Sequence, residues 1–200
     1  MKLGLILESD TNKHRKGTDH QVYEHIIQKL TNSIEIVVAG NTNKLILLEE
    51  CGVQAETLFA QKCDYVAIIW DLMPTWGGKP CRKQDVEQIC TKLEESQIDL
   101  DRIKLICIEP ELESIFLVDG KALTAYKKQC CRPHPVEIFK GKKLAKNDNS
   151  AKTCISNYLG RKYNDISEAI KIVEHVENYD KISKKHLSFK RFREFVESLK

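Results

Sequence analysis

Three short apolar segments of the chain each lead into acidic residues. The pairs are residues 3–7 with Glu8, residues 65–70 with Asp71, and residues 103–108 with Glu109, Glu111 and Glu113. Short apolar segments separated by helical patterns are typical of buried parallel strands, and open parallel sheets bind ligands beyond the carboxyl ends of their strands. Carboxylates that converge there repel one another, so a hard divalent cation with oxygen ligands is the natural compensation.

Such a cation would suit hydrolysis of a phosphodiester. The reaction needs a positioned water and neutralisation of charge on the transferring group, and one or two Mg²⁺ or Mn²⁺ ions held by carboxylates provide both. The alternative is that each acid caps the following helix or lies solvated in a loop. Three acidic positions at one predicted sheet edge favour the metal site over three independent caps.

The elements that must position these acids alternate along the first half of the chain. The predicted strands are residues 2–8, 34–39, 64–70 and 103–108, and the helices between them begin at Asp19, Lys44 (capped by Asn43) and Gln84. This order predicts an α/β fold with a mainly parallel sheet of about four strands flanked by helices.

The second half of the chain is predicted to be helical and basic. Helical spacing covers residues 111–117, 121–128, 150–159, 166–176 and 188–199, with a loop over 129–150. Residues 1–119 hold 13 Lys and Arg against 20 Asp and Glu, and residues 120–200 hold 19 against 9. We therefore expect a core over 1–119 and a basic, mainly helical extension over 120–200 packed on it. The asymmetry indicates nucleic-acid binding, and a solvated Lys-rich surface is the alternative.

The composition of the chain also excludes several classes of protein. No apolar run reaches the roughly 18 residues of a membrane span, and the amino terminus becomes acidic too soon for a signal peptide. Eight cysteines in such a chain indicate reduced thiols, so a cytoplasmic protein without membrane attachment is expected. The chain has no Gly-x-x-x-x-Gly-Lys-Ser/Thr loop, so it is not itself a P-loop ATPase. His186 is expected at the surface.

The order of a strand with Glu, a strand with Asp and a later acidic pair resembles the TOPRIM fold of topoisomerases, bacterial primases and OLD-type nucleases. More closely, the chain resembles small TOPRIM-related bacterial proteins associated with defence systems. The similar stretches are residues 7–10 with Asp19, 69–71, 108–119, 150–152 and 188–192. The resemblance covers nearly the whole chain and implies a Rossmann-like, TOPRIM-like sheet with a helical carboxyl-terminal segment.

The resemblance also implies roles for individual residues. Glu8 matches the TOPRIM glutamate, and Asp71 matches the first aspartate of its Asp-x-Asp motif. Glu111 and Glu113 match the acidic pair after the next strand. The implied catalytic set is Glu8, Asp71, Glu111, Glu113 and Lys152, with the four acids as Mg²⁺ or Mn²⁺ ligands and Lys152 near the scissile phosphate. The residues expected to bind nucleic acid are Lys140, Lys142, Lys143, Lys146 and Lys152.

One position departs from the TOPRIM pattern. Met73 stands where the second aspartate of Asp-x-Asp would fall, and a thioether does not ligate a hard cation. A one-metal site, a two-metal site rebuilt with Glu109 or Asp10, and an inactive site are all left open, and we favour one metal. No motif marks Tyr23, Tyr65 or Tyr126 as a nucleophile, which favours metal-only hydrolysis.

These observations predict a metal-dependent nuclease of DNA or RNA. The resemblance implies the effector subunit of a bacterial anti-phage or abortive-infection system, acting with an ABC- or AAA-type ATPase partner. A degenerate TOPRIM domain that binds nucleic acid or protein without cleavage is the alternative. A third interpretation is a haloacid-dehalogenase-type phosphatase, because residues 71–75 partly match its aspartate motif. A homo-oligomer is left open.

Overall fold

The computed structural model describes residues 1–8, 19–40, 43–73, 80–130, 135–148 and 150–200. Within these residues a four-stranded, all-parallel sheet has the strand order β2-β1-β3-β4. Its strands are β1 (Lys2–Leu7), β2 (Glu35–Gly40), β3 (Tyr65–Asp71) and β4 (Ile103–Ile108). Helices flank the sheet, and the second half of the chain is helical. The predicted α/β, Rossmann-like fold class is confirmed.

Helices α1 (Asp19–Leu30), α2 (Lys44–Ala60) and α3 (Arg82–Glu95) connect the strands. Helix α2 begins where predicted, because Oδ1 of Asn43 accepts the backbone N–H of Ile46 over 3.1 Å. Gly52 lies in the middle of α2 for a packing reason. A Cβ at this position would lie 2.3 Å from the carbonyl oxygen of Lys92, so α2 and α3 approach too closely for a side chain.

The helices of the second half are α4 (Glu113–Val118), α5 (Gly120–Cys130), α6 (Ala151–Leu159), α7 (Asp165–Val173), α8 (Tyr179–Lys185) and α9 (Leu187–Ser198). Helix α8 was not predicted from the sequence. It is short and buries Ile182 alone among its residues, so its apolar periodicity is weak. Its start is instead defined by Asn178, whose side chain accepts the N–H of Lys181 over 2.9 Å.

The two faces of the sheet bury different hydrophobic clusters. Successive side chains of β1 point to opposite faces, so Leu5 packs in one cluster and Ile6 in the other. The cluster around Leu5 also contains Phe189 and Phe192 of α9, so the carboxyl-terminal helices pack directly on the sheet. Across the described ranges, no helix combines the length and apolarity needed to cross a lipid bilayer.

Candidate functional site: an acidic cluster at the carboxyl ends of the strands

The carboxyl ends of β1 and β3 lie side by side at one edge of the sheet. Leu7 pairs with Ile69 in the parallel register, so Glu8, directly after β1, comes beside Asp71, the last residue of β3. The backbone N–H of Asp71 donates to Oε2 of Glu8 over 3.4 Å. The structure therefore brings these two sequence-predicted residues together.

Two further carboxylates reach the same edge from the first residues of helices. Asp19 begins α1, and Glu113 begins α4 after the end of β4. The pKa of Asp71 is raised well above its ordinary value by burial first, and then by the charges of Glu8, Glu113 and Asp19. We call Glu8, Asp19, Asp71 and Glu113 the acidic cluster. Asp19 was quoted only as a motif residue in the sequence, and its place in the cluster depends on the fold.

Burial raises the pKa of every carboxyl in the acidic cluster, and a neighbouring carboxylate raises each of them further. Burial is the largest cause in each case, and the pKa reaches about 7 for Glu8, about 6 for Asp19 and about 8 for Glu113. At neutral pH the cluster therefore keeps protons that ordinary carboxyls have lost. A bound cation would favour the ionised forms of these groups and displace the protons.

Lys152 of α6 is the predicted phosphate contact, and it reaches the acidic cluster. Its Nζ lies 3.7 Å from Oε1 of Glu113 and 2.8 Å from Oδ2 of Asp165. Burial lowers the pKa of Lys152, but Glu113 and Asp165 outweigh it, so the net shift is upward. The ammonium therefore stays charged, and its side chain is 46% exposed.

Lys44 is a second cation at the acidic cluster, and sequence reasoning missed it. Among the charges around Glu8, that of Lys44 lowers the pKa of Glu8 most. Its buried Nζ also lies 2.7 Å from Oδ2 of Asp85, which in turn accepts the indole N–H of Trp70 over 3.0 Å. A lysine in the first turn opposes the helix macrodipole, so its position at the start of an apolar helix was the available signal.

Glu111 has a different environment from the acidic cluster. It is buried next to the start of α6, where the N–H groups of Lys152 and Ala151 stabilise its charged form. Burial nevertheless raises its pKa overall. Ser150, at the N-cap position, makes no side-chain capping bond, so Glu111 supplies the negative charge at this helix end. Its buried Oε1 has no hydrogen-bond partner among the described residues.

Two buried tyrosines border the acidic cluster. Burial and then nearby carboxylates raise the pKa of Tyr23, with Asp71 the largest of these charges. Burial and then Glu113 raise the pKa of Tyr163, whose hydroxyl has no hydrogen-bond partner in the described part of the chain. Both phenols therefore stay protonated, which favours hydrogen-bond donation over nucleophilic attack. Tyr163 was not singled out from the sequence, because only the packing of its segment brings it here.

The predicted nucleic-acid lysines occupy different surroundings. Lys152 touches the acidic cluster, whereas Nζ of Lys146 lies 3.1 Å from Oε2 of Glu109. Lys143 lines a cavity beside Glu109. The remaining members of the set, which are solvent-exposed, are Lys140 and Lys142.

Glu109 is the centre of a separate group of charges. Its backbone N–H donates to Oγ of Ser188 over 3.0 Å, and its buried carboxylate faces Arg82, Lys146 and Arg191 at 3.7, 3.1 and 3.8 Å. We call these four charged residues the Glu109 cluster. Because both carboxylate oxygens face cations, the arrangement disfavours Glu109 as a metal ligand.

His186 is buried, so its predicted surface position is wrong. Its Nδ1 accepts the backbone N–H of Phe189 over 3.2 Å, which leaves the ring proton on Nε2, 2.7 Å from Oγ of Ser114. The Ser114 hydroxyl in turn donates to the carbonyl oxygen of Glu111 over 2.5 Å. His186 therefore donates to Ser114 and caps α9. Burial lowers the pKa of His186 to about 4. His186 and Ser114 therefore do not form a general base and nucleophile pair.

Met73 lies two residues after the end of β3, beside the segment that follows β4. Its backbone N–H donates to the carbonyl oxygen of Pro110 over 2.9 Å. The backbone N–H of Leu72 donates to the carbonyl oxygen of Ile108 over 2.8 Å. The backbone at Met73 is thus fixed at the sheet edge that carries Asp71. Asp10, the other proposed replacement ligand, and residues 74 and 75 of the phosphatase-like motif lie outside the described residues.

The acidic cluster fits a hard divalent cation in its chemistry. It offers carboxylate oxygens, the donors that Mg²⁺ and Mn²⁺ prefer, and burial raises the pKa values of Glu8 and Glu113 even though Lys44 and Lys152 lower them. Within the described ranges, no group of three or more His, Cys, Asp or Glu side chains is arranged to hold an ion. Binding would therefore require Glu8, Asp71 and Glu113 to turn further toward one another.

No family model matches the chain, and no curated protein or solved structure matches it either. The similarity to TOPRIM proteins is therefore carried by the motifs quoted above, and membership of that family stays a prediction.

Proposed function

We propose that this protein is a metal-dependent phosphodiesterase that cleaves nucleic acid, with Glu8, Asp71 and Glu113 as the cation ligands. The observation that carries the proposal is the acidic cluster at the carboxyl ends of β1 and β3, with Lys152 beside it. A group of buried carboxyls that repel one another costs stability, so its presence at a ligand-binding sheet edge is best explained by a function.

Each residue of the site has a separate role in the proposed phosphodiester hydrolysis. A Mg²⁺ or Mn²⁺ ion, when bound, supplies charge neutralisation and an activated water. Lys152 is held by Glu113 and Asp165, and its half-exposed ammonium can pair with a phosphate oxygen as a point charge. Lys44 approaches from the buried side and offsets the charge of Glu8. Glu111 holds the start of α6 and thereby positions Lys152.

Manganese binding tests the proposal directly. Mn²⁺ should raise the thermal unfolding temperature of the wild-type protein, and the increase should disappear in Asp71→Asn. Glu87→Gln removes an exposed carboxylate that pairs with Lys83 on α3, so it should keep the full increase. The same samples, assayed on labelled DNA and RNA, should cleave only with Mn²⁺ or Mg²⁺ present. Equal stabilisation of wild type and Asp71→Asn would exclude this metal site.

A second candidate is a domain that binds nucleic acid without cleaving it, and Met73 is the observation that favours it. A thioether replaces the second acid of the resembled motif at a backbone position fixed beside Asp71. Salt-sensitive nucleic-acid binding with no cleavage in Mn²⁺, alone or with a partner, would favour this candidate. The proposed role as effector of a bacterial anti-phage system beside an ABC- or AAA-type ATPase rests on the resemblance, and co-purification with that ATPase tests it.

A further inference from the structure

The Glu109 cluster contains more positive charge than its carboxylate can balance. Within the described residues, Arg82 from α3, Arg191 from α9 and Lys146 from the segment before α6 all lie within 4 Å of the Glu109 carboxylate. One cation would neutralise that carboxylate. The other two leave a local excess of positive charge and repel each other, and ion pairs with such exposed partners contribute little to stability.

The exposure of the four side chains is unequal. The Glu109 side chain is 5% exposed, whereas those of Arg82, Lys146 and Arg191 are 43%, 69% and 39% exposed. Glu109 therefore lies beneath the three cations and holds them from the protein side. Their outer surfaces remain open to a solute. Arginine guanidinium groups are suited to bidentate contact with phosphate, and lysine adds a mobile point charge.

Open space adjoins Lys146 on two sides and Arg82 on one of them. A cavity of about 150 Å³ is bordered by Glu109, Lys143, Lys146 and Lys185. A second cavity, of about 610 Å³, is bordered by Arg82 and Asn147 together with Glu109 and Lys146. A phosphate group and an attached sugar can therefore approach Arg82 and Lys146 without displacing any part of the core, and the exposed side of Arg191 faces solvent.

The Glu109 cluster also lies next to the acidic cluster. Asp71 pairs with Ile108 in the register of β3 and β4, and Glu109 directly follows Ile108. The two groups of charges therefore lie at the same sheet edge on neighbouring strands. A nucleic-acid strand that places one phosphate at Lys152 would have further phosphates along this edge.

We propose that Arg82, Lys146 and Arg191 form a binding site for a non-scissile phosphate of a nucleic-acid strand, which contacts their outer surfaces while Glu109 holds them from the protein side. This inference rests on the proposed function, because it names the substrate contact beside the cleavage site. It adds to the predicted lysine surface two arginines from α3 and α9 that approach Glu109 only in the folded chain.

Nucleic-acid binding in EDTA tests the site apart from cleavage. The probes are a short fluorescein-labelled DNA duplex and a single-stranded RNA of matching sequence, followed by fluorescence anisotropy over a series of NaCl concentrations. The variants are Arg82→Gln, Arg191→Gln and the double substitution. Lys83→Gln and Lys190→Gln are matched controls, because each removes the same charge one position away, from a lysine that pairs within its own helix.

The double variant should bind at least one probe several-fold more weakly than wild type. For duplex DNA its plot of log affinity against log salt should flatten by about 0.9 for each phosphate that the variant no longer neutralises. The matched controls should keep most of the affinity and slope.

Glu109→Gln should bind more tightly, because it removes the competing carboxylate. Circular dichroism and thermal unfolding establish that each variant is folded, and the single variants keep the test valid if the double one is not.

Equal losses of affinity in the arginine variants and the lysine controls would overturn the site, as would weaker binding by Glu109→Gln. Absence of binding by folded wild type at low salt would overturn it too. Failure of the proposed function looks different. In that case wild type and Asp71→Asn would both bind the probes with the predicted arginine dependence, and neither would cleave them when Mn²⁺ is added.

Discussion

Nζ of Lys152 lies 3.7 Å from Oε1 of Glu113, and this pair joins the helical second half of the chain to the acidic sheet edge. Glu113 is buried with a raised pKa, whereas Lys152 is half exposed and stays charged. The lysine thus has one side toward the acidic cluster and the other toward solvent. A phosphate that approaches the cluster would meet Lys152 before the carboxylates.

We expect Lys152→Gln to reduce the rate of cleavage by about 100-fold or more, a typical loss when one charge-stabilising donor is removed from an active site. The variant should remain folded, because the ion pairs of Lys152 are partly exposed and contribute little to stability. Single-turnover cleavage measures the effect. Lys171→Gln, which removes an exposed lysine of α7, is the matched control and should cleave at the wild-type rate.

Glu8→Gln and Asp71→Asn are expected to abolish cleavage while leaving the protein folded. Each substitution removes a ligand charge without changing the size of the side chain, so Mn²⁺ binding should weaken and the hydrophobic clusters should stay intact. Far-ultraviolet circular dichroism reports the fold, and a gel assay with labelled nucleic acid reports cleavage. Full cleavage by both variants would contradict the proposed active site.

Stability without metal is expected to fall by about 2–3 kcal/mol between pH 6.5 and 8, since one pKa unit corresponds to about 1.4 kcal/mol. Glu8 and Glu113 have folded-state pKa values of about 7 and about 8, above the ordinary value of 4.5. The folded protein therefore binds these protons more tightly than the unfolded chain. The resulting stability is complete at low pH and is lost as pH rises through the folded pKa.

Within this pH window the change in stability comes from the carboxyls and not from His186. The pKa of buried His186 is lowered from 6.5 to about 4, so its effect on stability has the opposite sign and ends near pH 6.5. Urea unfolding in EDTA at a series of pH values measures the decline. Glu113→Gln should flatten it and should be more stable than wild type at pH 8. A stability that rises over this window in wild type would contradict the raised carboxyl pKa values.

Local sequence signals were sufficient for most of the sheet and its connecting helices. The bounds of β4 follow from one apolar run, and Asn43 marks the start of α2 because its capping bond involves residues three positions apart. The parallel order of the strands also predicts that Glu8 and Asp71 share an edge, since that relationship follows from topology alone. Helix α8 escaped prediction because it buries little apolar surface.

The surroundings of the site could not be predicted because they come from long-range packing. Arg82 and Arg191 belong to helices far apart in the chain, and nothing in their local sequence indicates that both lie beside Glu109. His186 follows two lysines, a pattern typical of an exposed residue, yet its two ring nitrogens form buried hydrogen bonds. The raised carboxyl pKa values likewise depend on burial, which is set by the fold and not by neighbouring residues.

Gly52→Ala is expected to destabilise the protein by about 1–3 kcal/mol, the usual cost of overpacking. The new Cβ would lie 2.3 Å from the carbonyl oxygen of Lys92, and this backbone atom cannot move without shifting α3. Alanine favours a helix over glycine by about 1 kcal/mol, which is too little to offset the clash.

Urea unfolding measures the change in stability of Gly52→Ala. Glu56→Ala, at an exposed position of α2, should change stability by less than about 0.5 kcal/mol. Unchanged or increased stability of Gly52→Ala would contradict this close helix contact.

Met73→Asp is expected to be tolerated and to tighten Mn²⁺ binding. The backbone of Met73 is held by its N–H bond to Pro110, which the substitution keeps, so a carboxylate at this position would enter the same sheet edge as Asp71. An added oxygen ligand should favour a hard cation that the thioether cannot bind.

Isothermal titration of Mn²⁺ into wild type and Met73→Asp measures both affinity and stoichiometry. We expect one tight ion per wild-type chain, because the acid that would complete a second site in the resembled motif is missing. A second ion bound by Met73→Asp alone would identify Met73 as the position that limits the site to one metal. Two tight ions per wild-type chain would contradict the one-metal site and would require a further ligand beyond the acidic cluster.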